Sequence, residues 1–380
     1  MSCSAGPNLV LAAAAILLVF SARPLLASGQ REGASFGSAN AQSCADCHAS
    51  TSPRHPFLGE KARYEVSGHK LLGEAAYANG EGCQVCHTNE GFVSLLEKGT
   101  VDPKEFVANP SQPGCFTCHE PHEKGDFRLR TVAPVTLANG KVFDVGDGNL
   151  CARCHHATAV AAQAVTAMPA NKIAPFWGSH HGPQADIVEG TNAYEFPGKT
   201  YGSSAHKDVI NDGCVSCHMN LPTGRAALSL EVGGHSFQIA GKVHGVDTLN
   251  LAACNSCHRD IRQTPGAAVF NIIAQEDYDL NGKKEPFQLE VRGLLDRFVN
   301  KEGTGLLQKL NPPYYTKDGT FIWSTSEAAR PVTEVAAFYN YRMIVDDGSL
   351  GIHNTKYVLQ ILYDTIQALD SHFDVSRRPQ

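Results

Sequence analysis

Twelve of the thirteen cysteines fall into six Cys-x-x-Cys-His motifs: Cys44/Cys47/His48, Cys83/Cys86/His87, Cys115/Cys118/His119, Cys151/Cys154/His155, Cys214/Cys217/His218 and Cys254/Cys257/His258. Residues at i, i+3 and i+4 share one face of a helix, so a single turn presents two thiols and an imidazole in the same direction. The thiols can add to the two vinyl groups of one porphyrin while the histidine reaches its iron, which is the chemistry of c-type haem attachment. The spacing predicts six covalently held haem c groups, with His48, His87, His119, His155, His218 and His258 as proximal iron ligands.

Other uses of cysteine fit less well. Zinc sites pair CxxC with histidine but do not require His directly after the second Cys every time. Disulfide frameworks belong to short secreted chains with little core, and this chain has 380 residues. Attachment takes place outside the cytoplasmic membrane, and the N-terminus agrees with export: an apolar run, Leu9 to Phe20, precedes small residues around Ala27. Residues 1–27 are therefore expected to be a cleaved signal peptide, with a retained anchor as the alternative. The protein is expected to be periplasmic, extracellular or associated with the outer membrane.

Whether such a site only passes electrons or also performs chemistry depends on its sixth ligand. Of 17 histidines, six belong to motifs, which leaves eleven for six irons. Methionine is scarce, so bis-histidine ligation is the expectation. His69 and His206 lie just upstream of motifs, in Ser-Gly-His-Lys and Ser-Ser-Ala-His-Lys. His122 and His156 follow motifs closely, and His180/His181 occupy the longest gap between motifs. His235 sits in Gly-Gly-His-Ser-Phe, where two glycines would let backbone approach a flat macrocycle. His353 stands just before a helix expected to be capped by Asn354. These are the distal candidates, with His156 in reserve; His55, His244 and His372 lack a comparable setting.

Lys and Arg total 32 against 38 Asp and Glu, and no basic cluster stands out, which argues against nucleic acid as a partner. Haem propionates would make the loaded protein more acidic, favouring basic surfaces on redox partners. A hexahaem domain is expected over 28–265. From 266 to 380 cysteine disappears and helical periodicity takes over, with Val291, Leu294, Leu295, Phe298 and Val299 on one helix and Val358, Ile361, Leu362, Thr365 and Leu369 on another. Between them, Ser-Thr-Ser before Glu327 and Pro331 predict a helix start, and Asp347-Gly348 its end. This region is expected to be a helical bundle that lends His353 to the haem sites.

One segment follows the first half of an EF-hand loop. Asp277, Asp279, Asn281, Lys283 (through its carbonyl), Glu285 and Gln288 fall at the ligand positions for calcium, with Gly282 at the sixth place. Gln288 stands where a bidentate Glu belongs, which would move the last ligand to Glu290. An Asp/Asn/Gly turn is the alternative.

The motifs, together with His-His-Gly-Pro-Gln-Ala-Asp (180–186), Gly-Cys-Val-Ser-Cys-His-Met (213–219), Gly-Gly-His-Ser-Phe (233–237) and Gly-Ile-His-Asn (351–354), resemble bacterial multihaem cytochromes. The wider superfamily it is similar to includes the pentahaem ammonia-forming nitrite reductases and octahaem hydroxylamine oxidoreductases. The resemblance implies a mainly α, loop-rich fold around stacked haems. In that superfamily a catalytic haem is marked by Lys in place of the proximal His or by a tyrosine cross-link. Here His follows all six pairs, which favours members that carry electrons in anaerobic respiration or extracellular electron transfer. Redox proteins or an external acceptor are the implied partners, and a homo-oligomer or haem filament is conceivable. The competing expectation is a reductase of a small nitrogen or sulfur oxyanion with one open haem.

Overall fold

The computed structural model describes residues 58–71, 82–102, 107, 109–120, 127–167, 177–180, 182–322 and 330–380. Each described CxxCH motif folds as one helical turn. The histidine N–H donates to the first cysteine's carbonyl at 3.0 Å in His87→Cys83 and 2.9 Å in His119→Cys115, His155→Cys151 and His258→Cys254. The fifth motif is itself a short helix, Cys214–His218. The first motif lies outside the described residues.

Longer helices frame these turns: α1 (Leu58–Glu65), α2 (Asn89–Lys98), α3 (Ala161–Thr166) and α4 (Gln184–Glu189), then α5 (Phe287–Asp296), α6 (Val332–Asp347) and α7 (Thr355–Leu369). Strand is confined to two small antiparallel pairs among the described residues. β1 (Val135–Thr136) meets β2 (Val142–Phe143), and β3 (Ala240–Val243) meets β4 (Val246–Leu249). His244 and Gly245 both have positive φ in the tight β3–β4 turn, the conformation that matches strand twist. His244 is thus an exposed turn residue.

The main core belongs to the C-terminal helices. α6 buries Val335, Phe338, Tyr339, Met343 and Ile344 around its circumference, as a central helix must. Against it lie Val291 and Leu294 of α5, Tyr357, Ile361 and Leu362 of α7, and Val165 and Ile187 of α3 and α4. Sequence periodicity places the C-terminal helices correctly, except that α6 begins after Pro331 rather than at Ser-Thr-Ser; residues 323–329 lie outside the described set. Proline suits a helix start because its missing N–H would be unpaired there. Gly348, at φ 72°, closes α6. Asn354 caps α7 by accepting from the Tyr357 N–H at 3.2 Å.

The C-terminal helices and the motif-bearing segments share this core, and residues 59–380 cluster as one unit. A second, smaller cluster of Val135, Leu137, Phe143, Ala152 and Ala185 sits beside the fourth motif. Among the described residues no helix is long and apolar enough to cross a membrane.

Candidate haem-ligating histidine pairs

Each of the five described motif histidines faces a different histidine from outside the motifs. Ring centres are 6.0 Å apart in His155–His69, 6.2 Å in His87–His180, 6.2 Å in His119–His235, 6.3 Å in His258–His206 and 6.1 Å in His218–His353. Two imidazoles on opposite faces of one iron, each bonded at about 2.0 Å as in other metal–imidazole pairs, have ring centres about 6.3 Å apart. The observed separations fall at that value. Edge-to-face ring contacts span a similar range, so the repetition of one pairing rule five times is the discriminating feature.

In four of these histidines the hydrogen bond is made by Nδ1. Nδ1 of His119 donates to the Phe127 carbonyl (2.7 Å), that of His218 to Phe237 (2.8 Å) and that of His206 to Ile352 (2.9 Å). His155 Nδ1 donates to Gln184 Oε1 at 3.1 Å, and Gln184 in turn donates to the Asp346 carbonyl at the end of α6 at 3.1 Å. Engaging Nδ1 as a donor in this way favours the tautomer whose Nε2 could bind a metal.

Burial favours the neutral form of four of these rings, the form that metal binding would require. Burial, and then the nearby His155, bring the His69 pKa down to about 4. Burial also lowers His155, His218 and His235. His155 keeps accessible surface although protein surrounds it, as expected of a side chain facing a cleft. His353 is the exception: burial opposes its charge, but Asp347 outweighs burial and raises its pKa. Asp347 Oδ1 accepts from His353 Nδ1 at 2.6 Å.

The motifs also touch one another. The Cys154 Sγ reaches the carbonyl of Val85, inside the second motif, at 4.0 Å, and the Cys86 and Cys154 thiols lie close enough to perturb each other's ionisation. The free thiols of Cys151 and Cys214 perturb each other likewise, which places the fourth and fifth motifs side by side. Gly148 makes that approach possible, since a Cβ there would meet the Cys214 nitrogen at 3.0 Å. The Phe237 ring contacts His69 (4.8 Å) and His235 (5.9 Å) while its carbonyl holds His218, so one residue touches three pairs. His180 and Phe237 both adopt positive φ, which non-glycine residues hold only when their surroundings enforce it.

Some expectations take a different form. His122, His181, His48, Cys44 and Cys47 lie outside the described residues. His156 pairs with no histidine ring among the described residues and donates from Nδ1 to the Ala157 carbonyl at 2.9 Å. Gly233 and Gly234 admit protein rather than a flat ring: a Cβ on Gly233 would stand 2.3 Å from the Asn220 carbonyl. Cys83 is disulfide-bonded, and that link excludes a thioether at the same sulfur. Gln184, Asp347 and Phe237 escaped the sequence reading, because only spatial neighbourhood marks them as supports of the histidines.

Cys257 departs from the enclosed setting of the other second-position thiols. It is a free, exposed cysteine, whereas Cys86, Cys118, Cys154 and Cys217 are partly buried. Its Sγ accepts from the hydroxyl of the neighbouring Ser256 at 3.8 Å, a contact within its own turn. The physical reason is its place in the series. Residues 255–260 are all exposed, and the turn leading into the sixth motif packs on the short helix of the fifth. Cys115, the first thiol of the third motif, is exposed in the same way.

In the EF-hand-like segment, one oxygen from each of Asp277, Asp279 and Glu290 lies within 4.8 Å of the others. Gln288 points elsewhere, accepting from the Phe270 N–H and donating to the Ser349 carbonyl, so it cannot be the last ligand. Glu290, fully buried, takes that place and accepts from the Tyr278, Asp279 and Glu285 N–H groups. Asn281 donates to Asp279 and Glu285 and draws both toward the loop, while the Lys283 N–H donates to Asn281 Oδ1. Burial, and then Glu290, push the Asp279 carboxyl up to about 6. The set suits a hard cation such as calcium.

Comparison with known proteins finds no matching family model, no matching curated protein and no matching solved structure.

Proposed function

We propose that the chain is an exported multihaem c-type cytochrome that transfers electrons through six closely packed haem c groups with bis-histidine ligation. The observation that carries this reading is the opposition of all five described motif histidines to five different non-motif histidines. The cysteine pairs would hold the macrocycles, and the histidine pairs would bind iron from both faces. Haem c supplies a reversible one-electron ferric/ferrous couple when bound. His69, His180, His206, His235 and His353 would close the sixth position at five sites, which supports an electron conduit over a reductase with an open haem. Contacts between the second, fourth and fifth motifs support short steps between neighbouring sites. Redox proteins or an external acceptor are the partners this reading implies, and the net charge of −6 favours basic partner surfaces.

Mass spectrometry of the purified protein tests attachment: six added haem masses are expected. The peptide carrying Cys83 should hold a thioether in place of the disulfide, and the peptide carrying Cys257 should hold one at the surface. Electron paramagnetic resonance tests ligation. A wholly low-spin ferric spectrum, unmoved by nitrite or sulfite, is expected. A high-spin fraction that binds either anion would replace the conduit with the reductase reading.

A further inference from the structure

Among the paired histidines whose ring-nitrogen partner is described, one is held by a charged group. His119, His206 and His218 donate from Nδ1 to backbone carbonyls, and His155 donates to a neutral amide. His353 donates to a carboxylate, Asp347, at 2.6 Å. The Asp347 side chain is fully buried, and no Lys or Arg pairs with it among the described residues. Its other oxygen accepts from the N–H and hydroxyl of Ser349. The carboxylate is therefore fixed in place and directed at one imidazole.

Its position in the fold is unfavourable by local rules. Asp346 and Asp347 end α6, where the unpaired carbonyls already carry partial negative charge. Asp346 is offset by Arg342, one turn earlier, at 3.1 Å. Asp347 has His353 instead. A negative group buried at the negative end of a helix is costly unless a cationic centre faces it.

A charge-assisted hydrogen bond draws the Nδ1 proton toward the carboxylate and leaves more electron density on the ring. A ligand made more basic in this way stabilises the more positive oxidation state of the metal it binds, and hydrogen bonding around the ligands is a recognised control of haem potential. Resting on the haem reading above, we infer that Asp347, acting through His353, gives the site of Cys214, Cys217 and His218 a lower reduction potential than the third, fourth and sixth sites, whose described ring partners are neutral. Asp347 is a positioning residue for that ligand. The site adjoins the fourth motif through Cys151, and the short helix of its own motif packs on the turn leading to Cys254. Electrons passing between those two motifs would cross a raised step.

The experiment is a potentiometric titration of the full-length holoprotein followed in the visible haem bands, with electron paramagnetic resonance of the oxidised form. Wild type should show one ferric component with an unusually narrow g-spread, the mark of an imidazolate-like ligand. Asp347→Asn should remove that component and raise one low-potential wave while the others stay, and Asp347→Glu should restore both. Six haems with unmoved waves in Asp347→Asn, or a downward shift, overturn the inference while leaving the haem reading intact. Absence of haem from the wild-type protein overturns the reading itself. Where Asp347→Asn fails to load, the wild-type spectrum decides, since lack of a narrow component is sufficient to reject the assignment.

Discussion

The segments carrying the motifs and the C-terminal helices are built on different physical terms. From α5 to α7 the chain buries a continuous set of large side chains, among them Tyr314, Phe338, Tyr339, Tyr357 and Tyr363. Burial of each such side chain is worth about 1.5–3 kcal/mol, so these helices are held by their own residues. Between the second and sixth motifs, the separate apolar cluster consists of Val135, Leu137, Phe143, Ala152 and Ala185, and short turns and loops are joined largely by hydrogen bonds. One region specifies itself with apolar side chains, and the other brings histidines and thiols together with little apolar burial of its own. If those groups hold haem as proposed, the two regions should come apart in different ways.

The largest expected effect is loss of the fourth site. Replacing Cys151 and Cys154 with Ser should remove one haem mass and abolish hydrogen-exchange protection across the neighbouring second and fifth motifs, while α6 and α7 remain protected. Uniform loss across the chain would dissolve the distinction between the regions. Leu362→Ala, at a fully buried position of α7, should cost about 3 kcal/mol and lower Tm with all six haems retained. Loss of haem in that variant would show that the core supports the sites directly.

Calcium offers a third probe. At a hundredfold excess over Kd it should stabilise the C-terminal region by about 2.7 kcal/mol, read as a rise in Tm that chelation reverses. The folded Asp279 carboxyl, at about 6, lies above its ordinary 3.8. Without a cation, that group's contribution is lost as pH rises through this window, so calcium should help more at about pH 7 than at about pH 5. An unchanged melt with calcium or chelator would reduce the loop to a turn. The smallest effect is that of Asn354→Ala, which removes the cap of α7 at about 1 kcal/mol and should leave the haem spectrum unaltered.

Much of the local architecture could be read in the residues. CxxCH spacing implies one helical turn per motif, and every described motif forms one. Apolar periodicity places α5 and α7, and Asn354 announces the start of α7. Local context singles out His69, His206, His235 and His353, and the structure sets each opposite a motif histidine. The partner of each could not be read, because pairing depends on how loops distant in sequence cross in space. The exposure of Cys257 was equally hidden, since identical spacing says nothing of which motif ends at the surface. Asp347 and Gln184 illustrate the limit: one reads as the end of a helix and the other as part of a loop, and both acquire a role only when a histidine folds against them. Gln288 failed as a ligand because a linear loop template cannot see the Phe270 and Ser349 groups that capture its side chain.

Under the proposed reading as an exported cytochrome, the order of the paired residues along the chain would bear on how the protein is completed. His69 precedes the fourth motif and His206 precedes the sixth, so those two sites would have both proposed iron ligands across the membrane as soon as their motifs emerged. The second, third and fifth sites would wait for His180, His235 and His353, which follow far downstream. A chain threaded N-terminus first would carry three half-ligated sites until late in translocation. The last of them would close only when the turn after α6 had crossed, which would make the C-terminal helices the final latch on a structure loaded from the other end.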